Sequence, residues 1–298
     1  MPIYCSSTLR MTPTDSTGSF PADTEGAIYY DDSESLLKHY DGSNWGNVNT
    51  NVRDVLSLNA TATNEYINLG DTGNATYEFM ENGDAQSVSI WFKSAVNATQ
   101  CVFSINDDTG GHHNFIIFTT AGNLKVVHVA SGEINDVTYA TTYQNQWYHV
   151  IWAISASPGD GTTTSELFVN GTSRGTDSAS TTNRSDAPQD LAHIGRYAVA
   201  SDDGTWTVLT GTNTAGQQFS GLVSNVSIWD TKINASNALA IYNGGTPQSD
   251  LTAASGNYNV QANLQGWWKL DGDYTDSSGN SRHGAVGVGT PSFASVAL

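Results

Sequence analysis

A chain of 298 residues with 29 acidic side chains against 11 Lys and Arg carries a formal net charge of −18. Such a surface repels phosphate backbones, which argues against nucleic-acid binding, and no apolar run approaches the roughly 18 residues of a membrane span, so no membrane insertion is expected. The 29 Gly, 8 Trp and 13 Tyr, with only 13% of residues charged, suit short strands and frequent turns and do not suit a helical bundle.

In chain order, Met1-Pro2-Ile3-Tyr4-Cys5-Ser6-Ser7 offers neither a basic nor an apolar leader region, so no secretory signal is expected. Cys5 and Cys101 lie too far apart in sequence to suggest a disulfide framework and are expected as free thiols. After the polar connector Thr12 to Gly18, Gly26 to Asp32 and Leu36 to Trp45 read as a small β-hairpin whose aromatic face is Tyr29, Tyr40 and Trp45. A hairpin of this size needs a partner surface. The pattern Gly-x-x-Tyr-Tyr, an acidic turn, then Tyr-Asp-Gly-x-x-Trp resembles a hairpin of tailed-phage fibre and virion proteins. That resemblance implies an assembly arm over residues 1–50, other virion proteins as partners, and location in the virion.

Leu56-Ser57-Leu58 and Tyr66-Ile67-Asn68-Leu69 open the main domain. Ser87 to Lys93 alternates, with Val88, Ile90 and Phe92 on one face and Ser89, Trp91 and Lys93 on the other. Phe115 to Phe118 and Leu124 to Val129 form a hairpin turned at Ala121-Gly122-Asn123. Trp147 to Ile154 is followed by Glu166 to Thr172, where Asn170-Gly171 supplies the positive φ of a type I′ turn. His193 to Arg196 and Phe219 to Trp229 are further strands. Asn234 to Tyr242 is a short helix with an Asn or Ser cap and glycine past its end.

The order and spacing of these pieces resemble the laminin-G-like branch of the concanavalin A-like lectin/glucanase jelly rolls, over roughly residues 52–290. The fold implied is all-β: a two-sheet antiparallel jelly-roll sandwich over residues 51–298 with one short helix and the small N-terminal hairpin arm. Leu264 to Asp271 and Asp276 to Asn280 resemble the segment with which most relatives begin, so residues 264–298 are expected to add the strand that closes the sandwich. Strand tryptophans 91, 147, 152, 229, 267 and 268 are expected in packing roles.

Three kinds of chemistry are open. Relatives of this kind bind one Ca²⁺ at the sandwich rim through an Asp-x-Ser-Gly-Asn loop and an acidic pair. Asp276, Ser278, Gly279, Asn280 and Gly284 match the loop, Arg282 stands at a common Asn position, and Ser224 and Asn225 stand at the acidic pair. The resemblance therefore implies a structural Ca²⁺ held by Asp276, Asn280, Ser278 and Asn225, against the alternative of an Asx-turn in which these side chains cap their own backbone. Two polar loops, Asp107 to Asn114 and Asp202 to Trp206, offer aromatic and planar polar groups for a sugar: Trp206, Tyr197, Asp203, Asn114 and His112. The alternative there is an ordinary solvated turn. Catalysis is not expected, since the Glu-x-Asp-x-x-Glu run of glucanases with this fold and a His-Glu-x-x-His motif are both missing from the sequence.

The sequence thus leads to a non-enzymatic, lectin-like virion protein of a tailed phage, a homo-oligomer with a trimer favoured, touching host surface polysaccharide. The competing readings are a capsid decoration protein that binds no glycan, a glycan-degrading enzyme, and a secreted bacterial adhesin.

Overall fold

The computed structural model describes the backbone of residues 28–31, 36–40 and 45–47, then residues 52–59, 65–70, 85–106, 114–120, 122–130, 133–155, 162–180, 191–196 and 218–297. The chain divides into two units, residues 1–53 and 54–296.

In the first unit, β1 (Ile28–Asp31), β2 (Leu36–Tyr40) and β3 (Trp45–Asn47) form a three-stranded sheet in that order. The expected hairpin is its first pair, and a third strand extends it. Tyr29 lies opposite Lys38, and Tyr40 lies opposite Trp45.

The second unit contains all but the first two residues of β4 (Val52–Leu58), then β5 (Tyr66–Gly70), β6 (Gln86–Ser94), β7 (Gln100–Asn106), β8 (Asn114–Thr120), β9 (Asn123–Ala130) and β10 (Glu133–Ala140). It continues with β11 (Trp147–Ile154), β12 (Thr162–Val169), β13 (Thr172–Ser180), β14 (Leu191–Ile194), β15 (Gly221–Trp229), α1 (Ala235–Tyr242), β16 (Leu264–Trp268), β17 (Ala285–Val288) and β18 (Ser292–Ala297). One sheet runs β10-β9-β8-β7-β14-β5-β17; the other runs β13-β12-β11-β6-β15-β4-β18, with β16 also paired to β15. The jelly-roll expectation is met. The C-terminal segment supplies more than a single closing strand, since β16 and β18 join one sheet and β17 joins the other.

Alternation places Val88, Ile90, Phe92, Val150, Trp152 and Ile154 in the core between the sheets. β11 nevertheless reads as a continuous apolar run because its other face is buried too. There Ile151 and Ala153 join Phe168, Trp229, Ile233, Ala238, Ile241 and Trp267 in a second cluster beneath α1 and the segment after it. Trp152, Trp229, Trp267 and Trp268 are among the largest fully buried side chains, as the strand reading expects. The helix is capped by Asn234, whose Oδ1 accepts from the Asn237 backbone N–H at 3.0 Å. Its C-cap is Asn243 with φ 49°, and Gly244 follows at φ 66°, the glycine expected just past the helix end. Asn is the non-glycine residue that best tolerates this conformation. Between β12 and β13, Asn170 and Gly171 have φ values of 51° and 73°, the signs a type I′ turn requires.

Candidate functional site

Strand pairing brings four chain segments to one end of the sandwich. Gly221 on β15 lies opposite both Leu58 of β4 and Ser94 of β6, and Trp147 on β11 lies opposite Lys93. The connections at this rim are held by side chains. Ser94 Oγ donates to the Val96 carbonyl at 2.7 Å and to Gln100 Oε1 at 3.1 Å, and Gln100 Nε2 donates to the Gln218 carbonyl at 3.1 Å. Glu65, itself buried, accepts the Asn59 backbone N–H at 2.7 Å. Asn145 sits at φ 59° and donates its backbone N–H to the Ser94 carbonyl at 2.8 Å.

The result is an open cleft of about 460 Å³ lined by Ser57, Leu58 and Asn59 of the β4 end, Lys93, Ala95 and Val96 of the β6 end, Asn145, and Ser220 to Leu222. Its chemistry is mixed. Leu58, Val96 and Leu222 offer apolar surface, Asn59 and Asn145 offer planar amides, Ser57 a hydroxyl, and Lys93 an ammonium. Such a combination suits a ligand with C–H faces and many hydroxyls. Gly221 is required here by close approach: its φ is 153°, and a Cβ would lie 2.2 Å from the Lys93 carbonyl oxygen.

Further along the same rim, on the seven-stranded sheet, the Arg196 guanidinium stands 4.7 Å over the Tyr66 ring and Tyr66 lies 4.7 Å from His193. Ser104 Oγ donates to the Arg196 carbonyl at 3.0 Å, which fixes the exit of the chain from β14.

Tyr197, Asp203, Trp206 and His112 lie outside the described residues, and Asn114 is described only as backbone. Their anchors are informative. The segment with Tyr197, Asp203 and Trp206 leaves at Arg196 and returns at Gln218, whose bridge to Cys101 places it at the cleft rim. The segment with His112 runs between Asn106 and Asn114. Because Leu191 pairs with Asn106 while Ile194 pairs with Phe103, these anchors stand at opposite ends of the β7–β14 ladder. Sequence reasoning named neither Lys93 nor Asn145 as a site residue. The signal for Asn145 is its place in Tyr-Gln-Asn-Gln-Trp, where Asn suits a left-handed turn. Lys93 reaches the cleft through pairings too distant in sequence to read.

The proposed calcium ligands are drawn together only in part. Asp276, Ser278 and Asn280 share one loop. Asn225 stands across Trp267, whose Nε1 donates to Asn225 Oδ1 at 3.3 Å while its backbone N–H donates to Asp276 Oδ1 at 2.9 Å. Asp276 Oδ1 also accepts the Ser278 N–H at 2.8 Å, and Oδ2 accepts Ser278 Oγ and the Arg282 N–H, both at 2.9 Å. All four acceptor positions of the carboxylate thus face hydrogen-bond donors, the Asx-turn alternative raised by the sequence. Asn280 Nδ2 donates to the carbonyls of Leu264 and Gln265 at 3.1 and 3.0 Å. The donor set does not fit Ca²⁺, which needs six to eight oxygens with lone pairs free. Nor do the described residues hold a group of three His, Cys, Asp or Glu able to share a metal.

A buried pair resembles a catalytic dyad in contact alone. Ser89 Oγ and His149 Nε2 are 2.8 Å apart, both residues 1% exposed, with the His149 ring stacked 4.8 Å from Trp91 and 5.9 Å from Tyr242. Burial pushes the imidazole pKa down to about 3, and His149 Nδ1 has no hydrogen-bond partner. A nucleophile needs access and an oriented base, and this pair has neither. Cys101 is a free thiol, as expected; burial pushes its pKa up to about 12, which leaves it unreactive, and Cys5 lies outside the described residues.

This two-sheet sandwich with a rim cleft of mixed chemistry is the architecture of a lectin-type domain, and residues 61–238 match the family model described as the concanavalin A-like lectin/glucanases superfamily. The chain belongs to that superfamily. Among solved structures it is similar to a putative carbohydrate binding protein from Bacteroides ovatus, at 17% identity and TM-score 0.49, covering 83% of this chain and 61% of that one. It is also similar to a heptameric SAP-like pentraxin from Limulus polyphemus, at 16% identity and TM-score 0.42, covering 80% and 94%. A third similarity is to the CBM40 of the Ruminococcus gnavus IT-sialidase bound to α2,3 sialyllactose, at 16% identity and TM-score 0.42, covering 64% and 93%. No curated protein matches the chain.

Proposed function

We propose that this chain is a non-enzymatic, glycan-binding virion protein of a tailed phage, with residues 1–50 attaching it to the particle and the sandwich presenting its rim cleft to host surface polysaccharide. The observation that carries the binding reading is the cleft itself: amides, a hydroxyl and an ammonium around an apolar strip, at the rim of a lectin-type sandwich. The attachment reading rests on the aromatic hairpin pattern of the N-terminal segment. The non-catalytic reading is supported by the burial of the Ser89–His149 pair and by the missing glucanase run.

An open, shallow cleft gives few buried contacts, so affinity per copy is weak and attachment depends on many copies acting together. The test compares intact particles with isolated monomer on immobilised host polysaccharide. Particles should bind and monomers bind poorly. Lys93→Gln and Asn145→Gly, the latter keeping the left-handed backbone, should weaken particle binding without changing the melting temperature. If particles bind no host polysaccharide, or both variants bind as well as the parent, the decoration reading replaces this one.

A further inference from the structure

The loop from Asp276 to Arg282 has the sequence pattern of a cation-binding turn, yet its oxygens face a different partner. Arg282 Nη1 donates to the Gln265 backbone carbonyl and lies 3.4 Å from Gln265 Oε1. The same carbonyl accepts Asn280 Nδ2 at 3.0 Å and Ser278 Oγ at 3.4 Å. Gln265 is in turn tied down, its Nε2 donating to Asp230 Oδ2 at 2.7 Å, while Asn263 Nδ2 occupies Asp230 Oδ1 at 2.8 Å. A positive side chain therefore sits on the strand oxygens beside the loop, and the Asp276 carboxylate is already saturated by N–H and O–H donors.

We propose that Arg282 is a built-in cation: its guanidinium, seated on the Gln265 carbonyl oxygens, does the structural work of a rim metal ion and locks the 276–282 loop onto β16 with no divalent ion. The residue is well placed for this because both of its backbone ends are also fixed. Its N–H donates to Asp276 Oδ2 at 2.9 Å, and its carbonyl accepts Trp268 Nε1 at 2.7 Å. One residue thus bridges the loop carboxylate, the strand backbone and a buried indole. A guanidinium is always charged and its fork of donors engages several oxygens at once, which a lysine ammonium cannot reproduce in the same geometry. The consequence is a sandwich whose C-terminal closure is indifferent to calcium.

The test uses the full chain. Wild-type melting temperature should be the same in millimolar Ca²⁺ and in excess chelator, and elemental analysis should find no stoichiometric metal. Arg282→Ala should melt about 5 °C lower in both conditions. Hydrogen exchange should rise at the amides of Trp267, Ser278 and Arg282, the donors to Asp276. Arg282→Lys, which keeps the charge and loses the fork, should fall between the two and serves as the readout if the alanine variant does not fold. A wild-type melting temperature that drops on chelation, a bound calcium ion, or an alanine variant as stable and as protected as the parent overturns the proposal.

Discussion

Two buried imidazoles make the stability of this sandwich depend on pH well above the range where free carboxylates titrate. His149 and His193 are 1% and 5% exposed, and burial, joined at His193 by the charge of Arg196, lowers both from 6.5 to about 3. Each is neutral in the fold and takes up a proton on unfolding once the pH is below about 6.5. The unfolded state then binds more protons, so stability is full above about 6.5 and is lost progressively as pH falls toward 3. The cost is about 1.4 kcal/mol per pH unit for each group, hence about 2 kcal/mol each between pH 6.5 and 5.0 and about 4 kcal/mol for the pair. Urea unfolding followed by tryptophan fluorescence at pH 7.5, 6.5, 5.5 and 5.0 measures it. His149→Gln will lower stability throughout by removing a stacked ring, but it should also halve the slope, and His149→Gln with His193→Gln should flatten it. Equal stability of the parent at pH 7.5 and 5.0, or an unchanged slope in the double variant, would refute the reasoning.

Gly221→Ala drives a Cβ into the Lys93 carbonyl at a φ that L residues avoid, and should cost about 3 kcal/mol in urea unfolding; a variant as stable as the parent removes the close β6–β15 approach from the account. Trp229→Ala empties the cluster beneath α1 and leaves the Tyr258 hydroxyl, 3.2 Å from the indole N–H, short of a partner; a loss of about 3–5 kcal/mol is expected, and a loss under 1 kcal/mol would mean the site collapses freely. Replacing Tyr29, Tyr40 and Trp45 together by Ala should abolish incorporation into particles while leaving the sandwich's melting temperature unchanged, and normal incorporation would end the arm hypothesis.

The strands were legible because period-2 alternation and turn chemistry are local. Val88, Ile90 and Phe92 fall on the inner face as written, and Asn170-Gly171 turns where its residue types demand. The helix was legible for the same reason, since Asn234 caps and Asn243 terminates within one turn of the residues they serve. The cleft was not, because it is made by pairings such as Leu222 with Lys93 and Gly221 with Leu58, which link residues more than a hundred positions apart and leave no local trace. The calcium motif meets a different limit. Asp276, Ser278 and Asn280 have the right types and spacing, but whether their lone pairs are free depends on the N–H groups of Trp267 and Arg282, which no spacing rule reports.

Strand β18 occupies the sheet position next to β4, and Ser295 Oγ donates to Asp54 Oδ1 at 2.6 Å across 241 residues of chain. During synthesis the first strand of the sandwich therefore emerges long before its outer neighbour exists, and an edge of β4 waits unpaired while nearly the whole domain is made. β5 waits likewise for β17. Long-range closure of this kind is slow, and an open edge is where a growing chain meets another copy of itself. Premature termination near the C-terminus would thus be more damaging than its few residues suggest, yielding a nearly complete sandwich with one unpaired edge on each sheet.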